Sequence, residues 1–242
     1  MKLGILPGLL LLFSSVLHAQ WEEFPVLPGE SLWASSVLSE TLGGTVYEYP
    51  PENLFDGDKA TPWVEGVSGD GAGESLTILA NRAVTGFSLV NGFAKSASLY
   101  DKNNRIKSLE LSLLAGFTAP GMISETDAEL YLLKEIRLKD PLLVHDGMER
   151  QSFDIPLTEE EQFDLFKTVL IEFAADHPFF LKMMLQETGL SDNTLFTDDM
   201  SLRLLMEVYG FFALRVTIRD VYKGSRYDDT CISEISLELE EF

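Results

Sequence analysis

The chain has 242 residues, enough for one large domain or two small ones. Its 18 Lys and Arg stand against 39 Asp and Glu, a formal charge of −21, and so acidic a surface repels nucleic acid and anionic lipid headgroups, so neither is expected as a partner. Three histidines and one cysteine leave too few ligands for a zinc or iron–sulfur centre, whereas calcium, cationic partners and neutral ligands such as glycans suit the balance.

Met1-Lys2 opens an apolar stretch over 3–13, followed by Ser14-Ser15-Val16-Leu17-His18-Ala19-Gln20. This is the layout of a secretory signal peptide, residues 1–19, with cleavage after Ala19. The apolar run is shorter than the roughly 20 residues a membrane span requires. The mature chain is therefore expected to be exported without a membrane span, into the periplasm, onto the cell surface or into the medium. Export also bears on Cys231, which has no second cysteine to pair with. It sits at the entry to an alternating strand and reads as a buried, inert thiol.

Residues 20–33 read as a lead-in. From 34 to 156, short apolar–polar alternations are separated by turn residues. Ser75-Leu76-Thr77-Ile78-Leu79 and Val84-Thr85-Gly86-Phe87-Ser88-Leu89-Val90 are rich in strand formers, and Leu109, Leu111 and Leu113 alternate with polar neighbours. Residues 129–139 and 151–155 continue the pattern, as do Leu214, Val216 and Ile218, and then Ile235, Leu237 and Leu239. Many short strands spaced by turns predict an antiparallel sandwich.

One stretch departs from period two. Thr158 with Glu161 forms a capping box, followed by Phe163, Phe166, Val169, Leu170 and Phe173 at helical spacing. Pro178 begins a second helix that ends at Gly189, and Thr197 is expected to cap a third bearing Leu202, Leu205, Met206 and Tyr209. Residues 158–210 thus read as a helical insert, peripheral to the sandwich, with eleven acidic and three basic side chains.

Chemistry-bearing motifs are sparse. The glycine-rich run 66–75 lacks the Gly-Lys-Ser/Thr ending of a phosphate loop, and no helix follows it. His145 lies in a turn and His177 at a helix junction, without a nucleophile elbow. No catalytic residue is assigned and the chain is not expected to be an enzyme. Asp56-Gly57-Asp58 and Thr61 place two carboxylates, a hydroxyl and a carbonyl in one tight loop, suited to calcium, which takes six to eight hard oxygens. The same loop reads equally well as a polar turn with no metal.

Two stretches carry a family resemblance. The first is Ala34-Ser35-Ser36 with Asn53-Leu54-Phe55-Asp56-Gly57-Asp58-Lys59-Ala60-Thr61-Pro62-Trp63-Val64-Glu65-Gly66, and the second is Tyr222-Lys223-Gly224 with Asp228-Asp229-Thr230-Cys231-Ile232-Ser233-Glu234-Ile235. Together they resemble the discoidin-like, galactose-binding-like superfamily of coagulation-factor C-domains, and in particular the translocation module found beside bacterial NAD glycohydrolases. Asn91, Tyr100, Asn103, Asn104 and Arg105 also fit that module. The resemblance implies a jelly-roll β-sandwich over 34–242, interrupted by the insert 158–210. It implies that Glu234 joins Asp56, Asp58 and Thr61 around a structural calcium ion. It places ligand recognition on rim loops at one end of the sandwich. There Asn91, Tyr100, Asn103, Asn104 and Arg105 offer amides, a guanidinium and an aromatic face, a kit for a hydroxyl-rich ligand, although Asp101-Lys102-Asn103-Asn104 is also strong turn chemistry. The expected function is non-catalytic binding of a glycan or another envelope ligand. The alternative is a protein-interaction subunit of an envelope complex that uses the acidic insert.

Overall fold

A computed structural model describes residues 20–191, 195 and 198–242. The expected signal peptide 1–19 and the expected cap Thr197 lie outside the described residues. In chain order the elements are β1 (Glu22–Val26), β2 (Leu32–Ala34), β3 (Ser39–Leu42), β4 (Thr45–Glu48), a 3-10 turn (Pro51–Phe55), β5 (Trp63–Val64), β6 (Ser75–Leu79), β7 (Ala83–Asn91), α1 (Ala97–Lys102) and β8 (Asn104–Phe117). They continue with β9 (Glu129–Arg137), β10 (Leu142–Leu143), β11 (Arg150–Asp154), α2 (Glu159–Asp176), α3 (Pro178–Thr188), α4 (Asp199–Tyr209), β12 (Gly210–Tyr222) and β13 (Thr230–Glu240). The chain is mainly β, with its longer helices before the last two strands, as the period-two pattern and its single interruption predict.

The residues divide into two compact units. The larger comprises Glu30–Leu111, Leu138–Phe163 and Ala213–Phe242 and is the jelly-roll sandwich. The hydrogen-bonded strand order is β11-β7-β13-β8-β12-β6-β2. Pairing is antiparallel between β11 and β7, β7 and β13, β12 and β6, and β6 and β2. β13 meets β8 in parallel only over Thr230/Asn104 and Cys231/Arg105.

Register shows why alternation marked these strands. Ser152, Ser88 and Ser236 lie opposite one another on one face of β11–β7–β13, and Phe153, Phe87 and Leu237 on the other. Successive side chains of a strand point to opposite faces, so the apolar row faces inward. The Phe87 and Phe153 rings sit 5.2 Å apart. Around them Trp63, Leu76, Ile106, Leu109, Leu214 and Ile232 are fully or almost fully buried, each contributing about 1.5–3 kcal/mol of burial energy. Trp63 donates its indole N–H to Ser36 O at 3.1 Å.

The capping box at the start of α2 is present. Thr158 N–H donates to Glu161 Oε2 at 2.8 Å and Glu161 N–H to Thr158 Oγ1 at 3.3 Å. Next to it, buried Gln162 replaces a missing strand partner: its amide donates to Val84 O and accepts from Val84 N–H, both at 3.0 Å.

The smaller unit comprises residues up to Gly29, Ser112–Arg137 and Asp164–Phe212. Its core is aromatic: Phe117 packs on Phe166 and Phe173 with centroids 4.7 and 5.3 Å apart, and Phe211 on Phe24 and Tyr131 at 5.5 and 5.2 Å. β1 pairs with β9 through five residues, and β9 with 112–117 of β8. Trp21 anchors the start of β1. Its indole N–H donates to Asp176 Oδ2 at 2.9 Å, and Lys134, ion-paired with Glu172, lies 4.7 Å from its ring centre. The helices are therefore not a self-contained peripheral addition. The apolar stripe of α2 shares one core with Trp21 of the lead-in and Phe117 of β8, and Phe211, just after α4, packs on Phe24 of β1 and Tyr131 of β9. α3 begins at Pro178 and ends on Gly189 in the left-handed region (φ 71°), as its sequence predicts. The cap of α4 is Asp198, whose carboxylate accepts from the Met200 and Ser201 N–H groups. No helix among the described residues is long and apolar enough to cross a membrane.

Candidate functional site: a rim built on a buried polar tie

The segment 96–105 turns from α1 into β8. Ser96 caps α1, accepting from Leu99 N–H. The helix then turns Tyr100 inward, where its hydroxyl donates to Asp146 Oδ1 at 2.9 Å. Arg105 grips the same carboxylate with two prongs, Nε to Oδ1 at 3.0 Å and Nη2 to Oδ2 at 2.8 Å. Its remaining Nη1 donates to the carbonyls of Asn103 and Lys223 at 3.2 and 3.3 Å, and its guanidinium carbon lies 5.1 Å from the Tyr100 ring centre. Two-pronged pairing of this kind fixes orientation as well as charge. The Arg105 bonds hold the Asp146 carboxyl below its usual range, while burial and then Asp146 push the Tyr100 phenol up. Gly92 makes room for the tie. It sits at φ +69°, and a Cβ there would lie 2.6 Å from Arg105 Cγ and 2.7 Å from the Tyr100 ring.

The asparagines serve the backbone. Asn91 donates to Ile106 O at 2.8 Å and accepts from Ile106 N–H at 2.9 Å. Asn103 donates to Leu99 O, and Asn104 bridges Asp228 O and Gly224 N–H. Asn91, Tyr100, Asn103, Asn104 and Arg105 are all buried and occupied with internal bonds. As direct ligand contacts they are corrected: a donor already engaged inside the fold is not free for a sugar hydroxyl. Their role is to position.

What they position is the loop 223–229. Ser225 N–H donates to Asp101 O, Arg226 and Tyr227 N–H both to Lys102 O, and Asn104 N–H to Asp229 O, all between 2.9 and 3.1 Å. Lys223 is paired with Asp70 at 2.8 Å. On this strapped loop Tyr227 is 38% exposed, with the Arg226 guanidinium 5.1 Å from its ring centre. Sequence reasoning missed Asp146, Arg226 and Tyr227. The available signal was an aromatic and a guanidinium set among the turn residues Gly224, Ser225, Asp228 and Asp229.

Beneath the neighbouring loop, wholly buried Glu65 accepts from Val67 N–H at 2.9 Å and Thr230 N–H at 3.2 Å. Burial pushes its carboxyl up against those bonds. Thr230 Oγ1 donates to Asp70 O at 2.8 Å, fastening the loop to β13.

The Asp56 loop closes on itself. Asp56 accepts from Asp58 N–H at 2.7 Å and from the Thr61 hydroxyl at 2.6 Å, bonds that hold its carboxyl low, and Asp58 accepts from Ala60 N–H at 2.9 Å. β13 runs beside it, with Ser233 Oγ 3.1 Å from Lys59 O. The next residue, Glu234, has its Oε2 3.5 Å from Arg150 Nη2 and its Oε1 buried without a partner. Burial, with Asp56 and Asp58 adding to it, raises its pKa. Asp56, Asp58, Thr61 and Glu234 therefore share one neighbourhood of hard oxygens, one of them orphaned, which suits calcium chemically. Yet the loop carboxylates are satisfied internally, and among the described residues no three Asp, Glu, His or Cys side chains are arranged to hold a metal ion.

Cys231 is buried and burial raises its pKa, the opposite of an activated nucleophile. Burial also lowers the pKa of His177, which is packed against Trp21 and Phe173.

A mainly antiparallel jelly roll whose strands meet at a polar rim defines a discoidin-like, galactose-binding-like domain. The chain belongs to the NAD glycohydrolase translocation F5/8 type C domain family, whose model matches residues 29–155. Among solved structures it is similar to the family 32 carbohydrate-binding module of AlyQ in complex with 4,5-unsaturated mannuronic acid, at 11% identity, TM-score 0.35, covering 90% of this chain and 98% of that one. It is also similar to the family 32 module of C. perfringens NanJ in complex with galactose, at 13% identity, TM-score 0.34, covering 89% and 98%. No curated protein matches the sequence.

Proposed function

We propose that the chain is an exported, non-catalytic binding module that recognises a glycan or a similar hydroxyl-rich envelope or surface ligand through its rim loops. The observation that carries this reading is the Tyr227–Arg226 pair, exposed on a loop whose backbone is strapped to residues 101–104. A strapped loop loses little conformational freedom on binding, so more of the contact energy appears as affinity. The Tyr227 ring supplies a flat apolar face for sugar C–H groups, and its hydroxyl and the guanidinium supply donors. Buried Arg105 and Asn104, with Asp146 gripping Arg105 from a partly exposed position, hold that platform in place. A structural calcium ion forms part of the proposal: Asp56, Asp58, Thr61 and Glu234 would hold it, and it would tie β13 to the early loop. A glycan array probed with residues 20–242, with and without calcium, tests the reading. Binding that Tyr227→Ala weakens about tenfold or more supports it; an array without signal, or a hit indifferent to Tyr227→Ala, overturns it.

A further inference from the structure

α4 is apolar on two sides. Ser201, Leu202, Leu205 and Tyr209 are buried, which accounts for its packing. Met200, Leu204 and Val208, spaced four residues apart, are 78%, 40% and 49% exposed. Residues at that spacing stack along one face of a helix, so they form a continuous outer ridge about 12 Å long at a rise of roughly 1.5 Å per residue. A surface helix normally carries polar residues there, whereas this ridge leaves most of Met200 and close to half of Leu204 and Val208 open to solvent. Ile171 on α2, one turn beyond Lys167, is also exposed, and Lys167 pairs with Asp199 at the foot of the ridge at 3.0 Å.

The charge around the ridge restricts what can cover it. Asp198, Asp199 and Glu207 lie on or beside α4, Arg203 is its one basic residue, and the segment 158–210 holds eleven acidic side chains against three basic. A second copy would bring like charge against like, as would an anionic membrane. A partner whose apolar stripe is bordered by Lys or Arg meets both features at once.

We propose that the outer ridge of α4 (Met200, Leu204, Val208) is a docking surface for a cationic amphipathic helix of a partner protein. This surface belongs to the smaller unit and does not depend on the rim reading; failure of either leaves the other standing.

The test uses the intact protein and a fluorescein-labelled peptide of about 18 Leu and Lys residues in amphipathic helical register, followed by fluorescence anisotropy. The controls are a scrambled peptide of the same composition and a Leu/Glu counterpart. The triple variant Met200→Gln/Leu204→Gln/Val208→Gln is compared with Leu42→Gln/Val46→Gln on the exposed β3–β4 hairpin. Thermal melts followed by circular dichroism establish that each variant is folded, and Leu204→Gln alone serves if the triple variant is not. The expected result is binding of the amphipathic Lys peptide that the ridge variant weakens about tenfold, with no change for the hairpin variant and weaker binding of both control peptides. Equal affinity of parent and ridge variant overturns the proposal, because diffuse charge then holds the peptide. Equal binding of the scrambled peptide overturns it too. So does a dimer, seen by light scattering, that the ridge variant dissolves, since a second copy is then the occupant.

Discussion

Removing Asp146 tests whether the buried tie positions the rim. In Asp146→Ala, Arg105 keeps the carbonyls of Asn103 and Lys223 and the Tyr100 ring face but loses both prongs of its ion pair. The Arg105 side chain is 10% exposed and that of Asp146 36%. Breaking a fully buried pair from one side costs about 3–5 kcal/mol, and an exposed pair is worth about 0–1 kcal/mol. With one partner buried and the other a third exposed, solvent screening places the loss at about 2–3 kcal/mol. For a chain of this size, that is a fall in melting temperature of about 4–12 °C. The pH dependence has a definite sign. The folded Asp146 carboxyl is held low by Arg105, so the pair stabilises above the ordinary carboxylate pKa of about 3.9 and is lost as pH falls through the lower folded value. Melting curves of parent and variant, recorded by circular dichroism from neutral pH downward, should therefore converge in acid. Asp220→Ala removes the exposed Lys107 partner and should leave the melt almost unmoved. If Asp146→Ala also melts within about 1 °C of the parent at neutral pH, Arg105 relaxes into solvent and the tie does not hold the rim.

Gly92→Ala should destabilise by about 1–3 kcal/mol in urea unfolding, since a side chain at φ +69° meets both Arg105 and Tyr100. If calcium binds the Asp56 loop, millimolar calcium raises the melting temperature relative to chelator and Asp56→Ala abolishes the shift; identical curves mean a simple polar turn. Joining Pro156 to Phe212 should remove the smaller unit's unfolding transition from calorimetry, because Trp21, Phe117 and Tyr131 lose their partners Phe173, Phe166 and Phe211; a transition of unchanged enthalpy would show that these contacts carry no stability. Because burial lowers the pKa of His177, with Lys134 also lowering it and Asp176 opposing, its contribution is complete above an ordinary histidine pKa of about 6.5 and declines below it. His177→Phe should flatten the stability profile between about pH 5 and 7, read by urea unfolding across that range.

The strands were legible because each buries one face, so the alternation around Ser88, Ser236 and Ser152 is written directly into the sequence. Local capping was legible for the same reason of proximity: Thr158 with Glu161 and Pro178 with Gly189 need only a few residues to recognise. Partners distant in sequence were not legible. Asp146 meets Arg105 across 41 positions and Gln162 meets Val84 across 78, and nothing near either residue announces the other. Asn91 and Asn104 show the limit most clearly. Amides suit a sugar and suit a buried backbone equally, and only burial decides between them. The helical residues carried a correct periodicity that could not say which strands they pack against.

The most direct measurement of the central claim is amide chemical-shift mapping of residues 20–242 with the tightest glycan from the array. The account predicts that the largest shifts fall on 223–229 and on 101–104, and that Tyr227→Ala removes them while the spectrum otherwise stays folded. Shifts that bypass these loops, or that persist unchanged in Tyr227→Ala, would contradict it.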